Sequence, residues 1–238
     1  MSDLASMLCI LGKRSDAEAL LREALEGRLA TVGPKHRDTL TLTGELGLLL
    51  MDLGRLGEAE PLLRSTLQAR RASLGARHPD TLSSLNNLAL LLREQGKLSD
   101  AALLLYETLE AARTILGEQH PNTLTIMNNL AAGLRAQGKL GEAESLYQKV
   151  LASRRATLGS QHPSTFISML NLGFALERQG KLREAEALYS EGLTGCFRVL
   201  GRAHPHTRDV CTALSRVLAA QGKARDAMEV KAQYEARK

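Results

Sequence analysis

The stretch LGEQHPNTLTIMNNLAAGLRAQGKLGEAE, Leu116–Glu144, decides the fold, because the chain writes it again on either side. Forty-two residues earlier stands LGARHPDTLSSLNNLALLLREQGKLSDAA, Leu74–Ala102. Forty-two residues later stands LGSQHPSTFISMLNLGFALERQGKLREAE, Leu158–Glu186. The same step carries His36, His78, His120, His162 and His204, and Thr39, Thr81, Thr123, Thr165 and Thr207. It also carries Gly12, Gly54, Gly96, Gly138, Gly180 and Gly222, each followed by Lys or Arg, and Ala17, Ala59, Ala101, Ala143, Ala185 and Ala227. A fixed period of this size marks an array whose units each bury an apolar face against a neighbour. One domain over 1–238 is therefore expected: a half repeat at 1–33, full repeats near 34–75, 76–117, 118–159 and 160–201, and a final repeat at 202–238.

One copy defines the element type. In His78-Pro79 the proline suits the first position of a helix, where its missing N–H costs nothing. Leu82, Leu85, Leu88, Ala89 and Leu92 then follow at the spacing of one helical face. Gly96 can take the left-handed conformation that ends such a helix. A second helix is expected from the capping residues Ser99 and Asp100, with a stripe of Ala101, Leu104, Leu105, Leu109, Ala112 and Leu116 as far as Gly117. Each helix then has roughly 16–18 residues, about 25 Å long at ~1.5 Å per residue. The prediction is an all-α chain of 11 or 12 helices without strands. Small residues at Ala101, Ala143 and Ala185 let paired helices approach closely.

Composition agrees. The chain lacks Trp, is poor in Phe and Tyr, and carries a formal net charge of +5. Cys9, Cys196 and Cys211 have no pairing or metal-ligand spacing, which suits a reducing, cytoplasmic setting. No apolar run is long enough for a membrane span, and the first residues lack the layout of a signal peptide.

The recurring pattern NNLA, QGK, EAE, LY, LG, HP resembles the tetratricopeptide repeat (TPR), in the 42-residue variety of kinesin light chains. The resemblance covers essentially the whole chain. It implies a right-handed α-solenoid whose first helices line a concave groove that binds partner peptides. No heptad stretch precedes the array, so the coiled coil of a kinesin light chain has no counterpart here. Met1 aligns with Met127 and Met169, in mid-helix. The array thus opens on half a helix without a cap, and a longer array or a packed partner is expected on that side. The charged C-terminal segment AMEVKAQYEARK is the expected cap at the other end.

Candidate sites follow from the repeat. The histidines recur at helix starts, one repeat apart, too far from one another to share an ion whose ligands lie at ~2 Å; no metal and no cofactor are expected. Asp16, Glu18, Glu58, Glu60, Asp100, Glu142, Glu144, Glu184, Glu186 and Asp226 belong to the starts of second helices, where acids complement the helix dipole. Arg28, Arg70, Arg71, Arg113, Arg154, Arg155 and Arg198 belong to the opposite ends. No nucleophile motif or phosphate loop is present, so the chain reads as a non-enzyme without a small-molecule substrate. The asparagines Asn86, Asn87, Asn128, Asn129 and Asn171 are poor helix formers set in mid-helix. By the resemblance, Asn87, Asn129 and Asn171 face the groove and hydrogen-bond a peptide backbone; an inter-helix bond that fixes packing is the competing account. Asp3, Glu45 and Ala213 replace them in the other copies. Arg93, Arg135 and Arg178, the last shifted by one place, add positive charge and a preference for acidic partners. The reading is a scaffold that binds extended partner peptides. The alternatives are a permanent subunit of an assembly, contacting it through an apolar face that includes Leu48, Leu90 and Phe174, and a regulatory array of a longer protein. Self-association through the uncapped half repeat is a further expectation, and nucleic acid is not an expected partner.

Overall fold

The computed structural model describes residues 2–235, without the side chains of Ser2, Asp3 and Ser6. The expectations on Met1, on the Asp3 side chain and on the last three residues of the C-terminal segment lie outside that range. Among the described residues there are twelve helices and no strand: α1 Ser2–Ile10, α2 Arg14–Thr31, α3 Arg37–Asp52, α4 Leu56–Leu74, α5 Pro79–Glu94, α6 Leu98–Leu116, α7 Pro121–Ala136, α8 Leu140–Leu158, α9 Pro163–Arg178, α10 Leu182–Val199, α11 Pro205–Ala220 and α12 Ala224–Glu235. None of them is long and apolar enough to cross a membrane. The helices gather into two compact units, Met1–Asn129 and Leu130–Lys238.

The turns explain the period. Lys97 N–H donates to the Leu92 carbonyl at 2.9 Å, and Gly96 N–H to that of Arg93 at 2.9 Å. This is a Schellman closure, and it needs the positive φ of 78° at Gly96. The same pair of bonds recurs at Gly12, Gly54, Gly138, Gly180 and Gly222. Because the turn closes within the glycine and the basic residue, the chain re-enters a helix at once. The second helix α6 therefore begins at Leu98 with Lys97 at its cap position, and no side chain caps it. Ser99 and Asp100, expected to cap it, lie inside its first turn. The turn's own backbone bonds have already set the entry.

First helices are capped differently. Nδ1 of His36, His78, His120, His162 and His204 accepts the backbone N–H two residues on, at 3.1–3.2 Å. The residue two places on varies, so the ring and not its neighbour is what the repeat keeps. Thr39, Thr81, Thr165 and Thr207 add a second tie, donating from Oγ1 to the carbonyl of the preceding loop glycine at 2.7–2.8 Å.

Packing is between neighbours. In the first unit α1 packs on α2, α2 on α3, α3 on α4, α4 on α5 and α5 on α6; in the second α8 packs on α9, and so on to α12. The expected small residues Ala17, Ala59, Ala101, Ala143 and Ala185 are all 0–1 % exposed. First helices also touch one another, α3 with α5 and α9 with α11, so each unit has a wall built from first helices alone.

Candidate functional site

The wall of the first unit carries Asn86, Asn87, Asn128 and Asn129, and it divides them; Asn171 belongs to the second unit. Asn86 is buried, and its Oδ1 accepts Nδ2–H of Asn129 at 2.9 Å. That bond ties α5 to α7 across a repeat step, so for this pair the packing account describes the geometry. Asn128 and Asn171 are also engaged. Asn87 differs. Its donor and acceptor have no partner among the described residues, and it is only half-buried. The reason is in the sequence: Asn129 bonds the residue 43 positions earlier, and the residue 43 before Asn87 is Gly44, which has no side chain to offer.

The arginines divide as well. Arg93 lies two turns beyond Asn86 on α5, and its guanidinium donates to Glu94 at 2.8 Å. Its counterpart Arg135 on α7 has Ala136 where Arg93 has Glu94. Arg135 instead lies over the Phe174 ring, 5.6 Å from the centroid, and has no carboxylate partner among the described residues. Arg178 is exposed and stands one place off the row. The position that matches Arg93 and Arg135 is Glu177, which accepts Arg216 Nε–H at 2.6 Å and Nη2–H at 2.8 Å. Arg216 also lies 5.5 Å from the Phe174 centroid, so two guanidiniums flank one ring. Tyr189 completes the group, edge-on to Phe174 and donating to Glu177 at 3.3 Å. Burial, together with the Glu177 charge, pushes its phenol well above the ordinary tyrosine range.

Phe174 therefore does not stand as a bare apolar patch: cations cover it. The Leu48 and Leu90 side chains in the first unit are half-buried.

The acids at the starts of second helices do more than complement dipoles. Glu144 accepts Lys181 Nζ at 2.7 Å and Gln179 Nε2–H at 2.7 Å, both from the next turn. Glu186 does the same with Lys223 and Gln221, and Glu18 with Arg55. Glu60 accepts Gln95 at 2.7 Å. These ties staple α2, α4, α8 and α10 to the following turn; in α6 the matching position is Ala102. The hydrogen bond from Lys181 holds the Glu144 carboxyl below the usual range, and that from Lys223 does so for Glu186. The signal was present as a basic residue 37 places after each glutamate, but a helix-dipole account does not look that far along the chain. Two of the helix-end arginines do more than complement the helix end. Arg70 and Arg154 lie between helices and donate to the carbonyl and hydroxyl of the next first helix, Asp80 and Ser84 for one, Ser164 and Ser168 for the other.

Tandem helical hairpins that present a wall of polar first-helix side chains define a repeat scaffold for protein partners. Family models described as tetratricopeptide repeat match residues 38–114, 104–156 and 122–196, and another of that description matches 1–38. The chain belongs to the tetratricopeptide repeat family, and its fold is an all-α solenoid of these repeats. No curated protein sequence matches it. Among solved structures it is similar to a Podosopora anserina protein of kinesin light chain type with nearly identical TPR-like repeats, at 28 % identity and TM-score 0.71, over 83 % of this chain and 93 % of that one. It shares its fold with BtubC (BKLC) from P. vanneervenii, at 20 % identity and TM-score 0.72, over 95 % of this chain and 89 % of that one. It also shares it with PilW, a type IV pilus biogenesis factor, at 19 % identity and TM-score 0.66, over 99 % of this chain and 90 % of that one.

Proposed function

We propose that the chain holds an extended segment of a partner protein along its first-helix walls, without catalysing a reaction. The observation that carries this is Asn87, a half-buried amide with both a donor and an acceptor unused. An amide of that kind can bond a peptide backbone whatever the peptide's sequence. Leu90 follows it one turn on along α5, and Arg93 stands two turns beyond the neighbouring Asn86. In the second unit, Arg135 is a guanidinium oriented by a ring and left without a carboxylate, which favours an acidic side chain on the partner.

The test is titration of a partner peptide, recovered by affinity capture and sequenced, against three proteins. Asn87→Ala should weaken binding by roughly 0.5–1.5 kcal/mol, about two- to tenfold, without lowering the unfolding midpoint. Asn86→Ala should instead lower stability, because it strands the Asn129 amide. Unchanged affinity in Asn87→Ala would remove the peptide-backbone reading.

A second reading has its own observation. On α1, Leu4 is 50 % exposed and Met7 is 59 % exposed, while their counterparts one repeat on, Leu46 and Leu49, are 2 % and 4 % exposed. Those counterparts lie on α3, which packs against the preceding second helix α2. A helix of second-helix type from an assembly partner fits that face. Sedimentation of wild type and Met7→Glu would reveal it as a concentration-dependent loss of association in the variant.

A further inference from the structure

At the loop edge between α3, α4 and α5 lies a cleft of about 370 Å³, lined by Lys35, Arg37, Arg70, His78 and Asp80 over Leu74. Arg70 is its anchor. The residue is only 9 % exposed, yet its guanidinium reaches no carboxylate: its partners are the Asp80 carbonyl at 3.2 Å, Ser84 Oγ at 3.1 Å and Thr41 Oγ1 at 3.2 Å. Those oxygens satisfy hydrogens without balancing charge, and an unbalanced buried charge is costly. The Asp80 carboxylate makes its ion pair with Arg37, at 3.3 Å, and its charge reaches Arg70 without direct contact.

The strut between helices does not require this excess of charge. Arg154 makes the matching bonds to Ser164 and Ser168 in the second unit. In the other copies the place of Lys35 is taken by Arg77, Gln119, Gln161 and Ala203, and the place of Arg37 by proline every time. The Lys35–Arg37 pair belongs to this one repeat. Three cations meet one carboxylate, leaving a net charge of +2 in the cleft. His78 accepts with Nδ1 to cap α5, which leaves Nε2–H as a spare donor.

We propose that this cleft binds a phosphate monoester as its dianion, with Arg70 as the fixed guanidinium and Lys35 and Arg37 closing from the rim. The net charge matches a dianion and overmatches a carboxylate. A guanidinium fork is suited to phosphate oxygens. The site shares no residue with the wall that carries Asn87, so it does not depend on the peptide reading.

The experiment is calorimetric titration of the full chain with inorganic phosphate, O-phosphoserine and acetate at matched ionic strength, well above the second phosphate ionisation near about 6. The comparison protein is the double variant Lys35→Gln, Arg37→Ala, whose altered side chains lie at the exposed rim, with circular dichroism confirming its fold. Wild type should bind both phosphates, and the variant should bind them at least about tenfold more weakly, a loss of about 1.4 kcal/mol. Asn87→Ala should bind them as wild type does. Tighter binding of O-phosphoserine than of inorganic phosphate supports a phosphorylated residue as the source; equal binding supports free phosphate. Acetate binding as tight as phosphate, equal affinity in the double variant, or no phosphate binding by wild type would each overturn the proposal.

Discussion

Gly195→Ala tests the packing logic at a single methyl group. Gly195 lies inside α10, and its missing side chain makes room for Phe166 of α9, which is 1 % exposed. A Cβ there would stand 2.6 Å from Cζ of that ring, and closer still to Cε1. No real contact tolerates that, and a buried ring has no free volume to move into. Overpacking of this kind costs roughly 1–3 kcal/mol. The better helix propensity of Ala returns up to about 1 kcal/mol. The net expectation is a loss of about 1–2 kcal/mol. Gly27→Ala is the control. Gly27 is exposed inside α2 and a Cβ would meet nothing within 4 Å, so the same substitution should stabilise by about 0.5–1 kcal/mol. The rescue is Phe166→Leu, because Leu82 occupies the matching place in the first unit, where Ala111 stands for Gly195. Combined with Gly195→Ala it should recover part of the loss, with a coupling of at least about 0.5 kcal/mol. Urea unfolding followed by circular dichroism measures wild type, the three single variants and the double variant. A Gly195→Ala variant as stable as wild type would refute the reasoning, since it would mean that the ring does not fill the glycine's space.

The staples and caps give further expectations. Lys181→Met should lower stability only slightly, because the lysine is 39 % exposed and its ion pair is screened by solvent; urea midpoints with and without added salt check it. Since the hydrogen bond from Lys181 lowers the Glu144 pKa, the stability it adds is present above the ordinary carboxyl value of 4.5 and is lost as pH falls through the folded value. Glu144→Gln should flatten that acid limb, and an unchanged slope would show that the tie carries no linkage. Burial lowers the His204 pKa from 6.5, so its neutral ring is favoured on folding, and stability should decline as pH drops below that value. His204→Ala should cost about 0.5–2 kcal/mol at neutral pH, the range for a lost helix cap, and should remove that part of the pH dependence.

How much of this was legible in one dimension follows from what each feature depends on. The period, the helix pairs, the glycine turns and the buried alanines are local or strictly repeated, so spacing alone determined them: a helix face needs its residues at 3 and 4, and a Schellman turn needs glycine at one place. The histidines were correctly placed at helix starts for the same reason. The capping of α6 was misjudged because Ser99 and Asp100 satisfy a rule of thumb that the adjacent turn, closed by its own backbone, makes unnecessary. The asparagines were visible as a set, but their division was not. Whether an amide is spent on packing or left free depends on what stands opposite in the neighbouring repeat, and for Asn87 that is Gly44. Likewise Arg135 and Arg178 read alike in sequence, yet one lies over Phe174 and the other is exposed, because Glu177 takes the row position and recruits Arg216. Periodicity fixes backbone position through bonds a few residues apart. Side-chain pairing is fixed by partners some 35–43 residues away, and only the packed neighbours decide it.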